Sequence, residues 1–299
     1  MNTLAIGLAL LSAATFAVST SVQHQAAERA PESAGRWSSL VLHLLRRPSW
    51  LVAQSVAVAG FALHALALRH GPIALVQPIV ISGIVLIVPT RAAISRRLPS
   101  MPELRAVALT AFGLGVFLVA SNPSAGEHAD LGARPALFAA VAASIALLTG
   151  LLARLSRVPS RRAFFLGVAS GVLFGLVAGL LKLALQELAD GGVLRLLTVW
   201  PTYAVAVAGT CGVLTNQLAY RTARLSASMP VLNIVDGLGA LAAGFLIFRE
   251  VPRTTPGWLA AELGALVCIA VGLRMVVLLD EAACATTEAP SPVPEPQRT

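Results

Sequence analysis

PIALVQPIVISGIVLIVP, at residues 72–89, is an uncharged apolar run about long enough to cross a membrane, and Pro78 interrupts it. A second apolar run, LSASMPVLNIVDGLGALAAGFLIF at residues 225–248, carries Pro230, and a shift of 152 residues superimposes the two prolines. A proline inside a helix removes one backbone donor and kinks the helix. Two such helices at matching places in the chain predict a protein built from two related halves.

Seven further apolar runs bring the total to nine. Of the 299 residues 57% are apolar and only 12% are charged, about half the charged fraction of soluble domains. Membrane-spanning strands alternate polar and apolar residues, whereas these runs are apolar on every side, so we predict an all-α integral membrane protein with about nine transmembrane helices. The predicted helices are Thr3–Val22, Trp50–Leu68, Pro72–Pro89, Leu104–Ser121, Pro135–Leu152, Ala163–Leu185, Trp200–Tyr220, Leu225–Phe248 and Gly257–Leu279.

Basic residues are concentrated in alternate loops. Sixteen of the 22 Lys and Arg residues fall on the side of the odd-numbered loops and five on the other, with Lys182 inside the sixth predicted helix. The positive-inside rule then places the N-terminus outside and the C-terminus in the cytoplasm. This distribution accounts for the net charge of +8 through topology and contact with anionic lipids, without a nucleic-acid partner. We therefore expect a multi-pass protein of the cell membrane.

Small residues recur at every fourth position of two predicted helices. The sixth helix has Gly167, Gly171, Gly175 and Gly179, and a shift of 158 residues aligns these with Ala9, Ala13, Ala17 and Ser21 of the first helix. Such ladders let helix backbones approach closely in a membrane. The second and seventh helices share the sequence VAVAG, at residues 56–60 and 205–209. The glycine ladder would serve equally well in a homodimer.

These pairings give the chain an inverted repeat. Helices one to four match helices six to nine, and because the offset of five is odd, each pair has opposite membrane orientations. Inverted repeats are typical of secondary transporters, whose sites lie near the midplane. The predicted first repeat covers residues 1–121, the connector helix 135–152 and the second repeat 163–279. Residues 280–299 are rich in proline and are predicted to form a disordered cytoplasmic tail.

Over residues 1–279 the chain resembles the drug/metabolite transporter superfamily of EamA-like proteins. The resemblance rests on GPIALVQP at residues 71–78, on SASMP at 226–230 running on to Asp236, and on FRE at 248–250. The nine-helix count is similar to that of the NIPA magnesium-transporter branch and related actinobacterial proteins. The resemblance implies transport, with Mg²⁺ as the substrate of that branch. Related proteins often have a glutamate and a proline where this chain has Asp236 and Gly237.

Asp236 is the strongest candidate for a binding residue. A carboxylate at the middle of a membrane costs about 3 kcal/mol on insertion scales and usually faces a bundle interior or a water path. Asn233 lies one turn earlier and shares its face. The functional interpretation is a site that binds a cation or exchanges a proton, and the alternative is a structural hydrogen bond to another helix.

Pro78 and Pro230 are further candidates because each frees a backbone carbonyl four residues earlier. In lipid a freed carbonyl finds a partner or lines a cavity, so the kinks either face the substrate path or are satisfied by neighbouring helices. Gln77 is a cavity-lining amide or a link between helices. His64 is either a packing residue or a proton carrier.

Two charged residues within apolar runs are predicted to lie near the outer membrane surface. We expect Lys182 to extend its ammonium group to the outer surface, with an ion pair to Asp236 as the alternative. Glu262 lies one turn into the ninth helix and is expected to reach the outer headgroups.

The sequence has no HExxH, GxSxG or Walker lysine motif, so it predicts neither an enzyme nor a cofactor. We predict a secondary transporter that moves a small solute or ion by alternating access. The alternatives are a magnesium or other divalent-cation transporter, whose metal ligands the sequence does not define, and a scaffold protein that transports nothing. The predicted substrate- or ion-binding residues are Asp236, Asn233, Pro230, Pro78, Gln77 and His64.

Overall fold

The chain is helical throughout most of the part that the structure describes. The computed structural model describes residues 3–28, 48–86, 90, 93, 98–120, 123–124, 126–222, 225–251 and 255–287. These residues contain no strand, so the predicted all-α class is confirmed. The helices defined within them are α1 (Thr3–Glu28), α2 (Pro48–His70), α3 (Ile73–Ser82), α4 (Met101–Ala120), α5 (Ala133–Leu155), α6 (Pro159–Thr198), α7 (Trp200–Thr222), α8 (Leu225–Phe248) and α9 (Pro256–Thr287).

Seven stretches of the described residues are long and apolar enough to cross a membrane, against the nine predicted spans. They indicate a multi-pass membrane protein. They are Thr3–Val22, Leu51–His70, Met101–Ala120, Ala133–Leu155, Arg161–Thr198, Val231–Phe248 and Pro256–Met275. The α-helical part of α3 has only ten residues and continues as a 3-10 turn, Gly83–Leu86.

Three helices extend six or more residues beyond their predicted ends. α1 continues to Glu28, past the predicted end at Val22. α6 continues to Thr198, past the predicted end at Leu185, although Gly192 interrupts it with φ 69°. α9 continues to Thr287, so the first residues of the predicted disordered tail, 280–287, are helical. The rest of the predicted tail lies outside the described residues.

α1 packs against α3 and the turn that follows it through small residues. A Cβ atom at Gly71, just before α3, would lie 2.7 Å from Ala5 Cβ, and one at Gly83 would lie 2.6 Å from Ala13 Cβ. These distances are shorter than any ordinary van der Waals contact, so a side chain at either glycine would force the backbones apart. Because the contact positions advance together along both segments, α1 and α3 run in the same direction.

α6 packs against α8 in the same way. A Cβ at Gly171 would lie 2.8 Å from Val235 Cβ, and one at Gly179 would lie 2.6 Å from Ala243 Cβ. The close approach predicted for the glycine ladder is therefore confirmed at these positions, and the partner is a helix of the same chain. α6 and α8 also run in the same direction.

α1 contacts α2, and α6 contacts α7, through matching serine hydrogen bonds. Ser12 Oγ donates to the carbonyl of Gly60 at 2.8 Å, and Ser170 Oγ donates to the carbonyl of Gly212 at 2.9 Å. The two serines are related by the shift of 158 residues that aligns the small-residue ladders. Each serine is buried.

Two phenylalanine rings show the same correspondence between the α1–α2 contact and the α6–α7 contact. A Cβ at Gly60 would lie 3.2 Å from the ring of Phe16, and one at Gly212 would lie 3.0 Å from the ring of Phe174. Phe16 and Phe174 are again 158 residues apart. The contacts therefore equate Gly60 with Gly212, whereas the shared VAVAG sequence had paired Gly60 with Gly209. The sequence match was displaced by three residues because alternating valine and alanine give little register information.

We predict that Ser12→Ala and Ser170→Ala will each lower the free energy of unfolding by roughly 0.5–1.5 kcal/mol, the usual range for a hydrogen bond between membrane helices. Unfolding by SDS in mixed micelles measures this. Ser144→Ala is the control, since this serine is exposed and bonds only within its own helix. Losses no larger than that of Ser144→Ala would contradict a contribution of these bonds between helices, and clearly different losses for Ser12→Ala and Ser170→Ala would contradict their equivalence.

α3 and α8 meet with opposite directions. A Cβ at Gly244 would lie 3.6 Å from Ile73 Cβ, whereas one at Gly237 would lie 3.0 Å from Ile81 Cδ1. The position along α8 falls as the position along α3 rises. α1 has the same direction as α3, and α6 has the same direction as α8. α1 and α6 therefore run in opposite directions.

Candidate functional site

A side-chain hydrogen bond joins the two proline-containing helices. Gln77 Nε2, on α3, donates to Asp236 Oδ1, on α8, at 3.0 Å. Gln77 is only 3% exposed and Asp236 is half-buried. The sequence had placed each residue among the candidates for separate reasons, and the fold brings them together because α3 and α8 cross at this level.

Of the two polar atoms of the Gln77 amide, only the nitrogen has a hydrogen-bond partner. Its Nε2 donates to Asp236, while its Oε1 is buried and has no hydrogen-bond partner. Buried polar atoms in native proteins nearly always have a partner. The pair therefore presents an unused acceptor beside a carboxylate.

The other predicted site residues on α3 and α8 are close to Gln77 or Asp236 in the sequence. Pro78 follows Gln77 directly and is buried. Asn233 lies one turn before Asp236, is half-buried, and makes no side-chain hydrogen bond within the described residues. Pro230 lies inside α8, but its side chain is outside the described residues.

His64 lies apart from the pair. It is buried on α2, on the face that carries Ala53 and Gly60, which contact α1. Its Nδ1 is buried without a hydrogen-bond partner. No hydrogen bond connects His64 with Asp236 or Gln77 in the described part of the chain, so its place in the site stays a prediction.

Lys182 does not reach the surface, and that expectation is wrong. Its Nζ lies 2.5 Å from Glu250 Oε1, and the two side chains are 9% and 0% exposed. The same ammonium group donates to the carbonyl of Gly71 at 3.4 Å and lies 4.8 Å from the centre of the Phe248 ring. The alternative prediction, an ion pair between Lys182 and Asp236, is also wrong. Glu262 is also buried within the protein, and its position relative to the headgroups stays a prediction.

Glu250 also caps α3. Its two carboxylate oxygens accept hydrogen bonds from the backbone N–H groups of Ile73 and Ala74, each at 2.9 Å. The first N–H groups of a helix have no partner within the helix, and the helix dipole favours a negative charge there. The Glu250 carboxylate, at the end of α8, thus binds both the start of α3 and the Lys182 side chain of α6.

Local backbone geometry puts Glu250 in this position. α8 ends in a turn in which Arg249 has φ 51° and the Glu250 N–H donates back to the carbonyl of Gly244, six residues earlier, at 3.0 Å. A Cβ at Gly244 would lie 2.7 Å from Glu250 Oε2, so only glycine leaves room for the carboxylate. Sequence reasoning noticed the FRE segment but missed this role, because a turn that folds back leaves no periodic signal.

The loop between α4 and α5 covers this end of the bundle. Glu127 N–H donates to the carbonyl of Phe248 at 2.6 Å, and Ala129 N–H donates to Gln186 Oε1 at 3.3 Å. A Cβ at Gly126, which has φ +76°, would lie 2.8 Å from the Phe248 carbonyl oxygen. The loop thus lies directly against the Lys182–Glu250 end.

The carboxylates of Glu250 and Asp236, which both contact α3 from the α8 side, are not equivalent. Glu250 is neutralised by Lys182, whereas Asp236 has only the neutral amide of Gln77 as its partner among the described residues. No group of three or more His, Cys, Asp or Glu residues lies together in the described ranges. The geometry therefore offers a single carboxylate with neighbouring amides as the place for a ligand.

Comparison with known proteins gives one informative similarity. An uncharacterized protein of Corynebacterium glutamicum is 28% identical over 272 residues, which is 90% of this chain and 93% of that protein. No family model matches the chain. No solved structure matches it either. The chain is therefore similar to that protein over nearly the whole length of both.

Proposed function

We propose that this protein is a secondary transporter that moves a small solute across the cell membrane by alternating access. The observation that carries the proposal is the Gln77–Asp236 hydrogen bond between α3 and α8, the two helices that each contain a proline. Secondary transporters bind their substrates near the midplane, at the interface between repeats, on interrupted helices. The pairing of Asp236 with Gln77 across these two helices supports a site of this kind.

The helix contacts support two inverted halves of four helices with α5 as the connector. Ser12 with Gly60 corresponds to Ser170 with Gly212, and α1 runs opposite to α6. In such a design, one half rocks against the other around a fixed site. The arginine distribution supports an external N-terminus and a cytoplasmic C-terminus, which puts the Lys182–Glu250 end outside.

The buried ion pair supports a conformation closed on that side. Glu250 joins α3, α6 and α8 in one cluster, and the α4–α5 loop lies over it. Alternating access needs an end that closes through discrete contacts and opens when they separate. The Lys182–Glu250 cluster has this character, because the hydrogen bonds of Glu250 connect α3 of the first proposed half with α6 and α8 of the second.

Magnesium transport, which the resemblance implies, has less support from the site. Mg²⁺ keeps several waters and is usually held by one or two carboxylates, and Asp236 offers one. A scaffold that transports nothing remains the alternative from another class. Removal of residues 288–299 separates it from a transporter, since a scaffold docking through its tail would lose its partner while a transporter would keep its flux.

The proposal is tested on purified protein. A thermal-shift screen with Mg²⁺, other divalent cations, amines, amino acids and nucleosides identifies ligands, and uptake of each hit into liposomes follows. We predict that Asp236→Asn reduces uptake at least about ten-fold, because it removes the carboxylate at the repeat interface. Glu127→Gln, which removes an exposed carboxylate, is the control.

Normal uptake by the Asp236→Asn variant would show that Asp236 does not take part in transport. A folded protein that binds and moves none of the solutes would favour the scaffold alternative.

A further inference from the structure

The site between α3 and α8 has an unbalanced charge. Asp236 Oδ1 accepts one hydrogen bond, from Gln77 Nε2, and no Lys, Arg or His of the described residues forms an ion pair with Asp236. The interior cation, Lys182, is already held by Glu250. A lone carboxylate inside a membrane protein is costly and usually pairs with a positive charge.

The orientation of Gln77 is fixed by its partner. An amide presents one donor end and one acceptor end, and only the donor end can bond a carboxylate. Nε2 therefore points to Asp236, which leaves Oε1 as the second, unpartnered acceptor of a side chain that is 3% exposed. Oε1 is bonded to the same carbon as Nε2, so it lies within the immediate surroundings of the carboxylate.

These two groups select the chemistry of the ligand. The oxygens of Asp236 and Oε1 of Gln77 are acceptors and the carboxylate carries a negative charge, so the pair favours a ligand with a positive charge or hydrogen-bond donors. One carboxylate balances one charge, and a divalent ion would leave an excess positive charge in a region of low dielectric. An anionic ligand would lie beside the Asp236 carboxylate, whose negative charge repels it.

We propose that the site beside Asp236 and Gln77 binds a monovalent cation, with the carboxylate of Asp236 balancing its charge and Oε1 of Gln77 as a second ligand. Asn233, one turn before Asp236 on α8, supplies a further amide on that side of the helix. The inference rests on the proposed function for the location of the site, and it adds the charge class of the substrate or coupling ion.

The experiment measures thermal stability of the detergent-purified full chain against increasing concentrations of NaCl, KCl, methylammonium chloride and MgCl₂, compared at equal ionic strength. A ligand that binds only the folded state raises Tm with its concentration. We expect at least one monovalent cation to raise Tm by a few degrees with a saturable midpoint. A response to methylammonium alone indicates an amine, and a response to Na⁺ or K⁺ indicates an alkali ion.

Three variants locate the effect. Asp236→Asn should abolish the saturable shift, and Gln77→Met should move its midpoint to roughly ten-fold higher concentration, because one of two ligands is lost. Glu127→Gln removes an exposed carboxylate and should behave as wild type. If Asp236→Asn does not fold, Gln77→Met with the same salt series carries the test.

Three results would overturn the inference. These are a saturable Mg²⁺ shift at least as large as any monovalent one, a salt effect that is equal in Asp236→Asn and Glu127→Gln, and no saturable shift at all. The inference and the transport proposal fail separately. Saturable monovalent binding without flux of any solute would retain the site and reject transport, while Asp236-dependent flux of an anion or neutral solute without cation binding would do the reverse.

Discussion

Replacing Lys182 by methionine will lower the free energy of unfolding by about 3–5 kcal/mol, the usual cost of removing one partner from a buried ion pair. The reason is the position of Glu250, whose side chain is fully buried and would keep its charge without a cation. Its hydrogen bonds to the N–H groups of Ile73 and Ala74 hold it in place, so it cannot turn toward water. Equilibrium unfolding by SDS in mixed micelles measures the loss.

The double variant separates the ion pair from simple packing. Glu250→Gln alone leaves the Lys182 ammonium group with only the carbonyl of Gly71 and the Phe248 ring. Lys182→Met combined with Glu250→Gln removes both charges while the glutamine oxygen still accepts one backbone hydrogen bond. Its loss should therefore be clearly smaller than the sum of the two single losses.

A neighbouring ion pair provides the matched control. Arg249 Nη1 lies 3.2 Å from Glu127 Oε2, but the two side chains are 51% and 62% exposed. Surface pairs contribute about 0–1 kcal/mol, so Arg249→Met should cost little. Equal losses for Lys182→Met and Arg249→Met would show that burial of the Lys182–Glu250 pair has no energetic consequence, and would refute the cluster as a structural junction.

The sequence was a good guide to the helices because apolar runs of spanning length have few other structures available. It predicted α8 to the residue and both ends of α2, α4, α5 and α7 to within three residues. It was less successful at α6, because its polar C-terminal part, around Gln186 and Glu187, continues the helix outside the apolar run. Helix continuation at a membrane surface leaves no hydropathy signal.

The site was predictable as a set of residues but not as a set of contacts. Gln77 and Asp236 were both recognisable as polar groups in apolar helices, yet their pairing depends on the crossing of α3 and α8. The partner of Lys182 was harder still to predict. It depends on one residue, Arg249, adopting positive φ, and on Gly244 leaving space for the Glu250 carboxylate.

Gly175→Ala is the second substitution from which we expect a large effect, although it adds one methyl group. Its Cβ would lie 2.8 Å from Gly239 Cα and 3.0 Å from both the nitrogen of Ala240 and the carbonyl oxygen of Asp236. These neighbours are backbone atoms, which cannot change rotamer, so α6 and α8 must separate. Such overpacking costs about 1–3 kcal/mol.

We expect Gly175→Ala to impair ligand binding as well as stability, because Gly175 lies against the backbone of Asp236. Because the added methyl group presses on the α8 backbone at Asp236, it displaces the carboxylate that Gln77 orients from α3. We expect Gly175→Ala to lose most of its ligand-dependent thermal shift and uptake, in addition to its stability. Gly150→Ala is the matched control, since a Cβ there would meet nothing within 4 Å.

Gly150→Ala should keep wild-type stability and ligand response. If Gly175→Ala is also indistinguishable from wild type, the backbones of α6 and α8 do not approach as closely as the structure places them. If it loses stability but binds ligand normally, the helices adjust without moving Asp236, and the site tolerates a shift of α8. Loss of both would show that the spacing set by the glycine ladder on α6 also fixes the position of the carboxylate on α8.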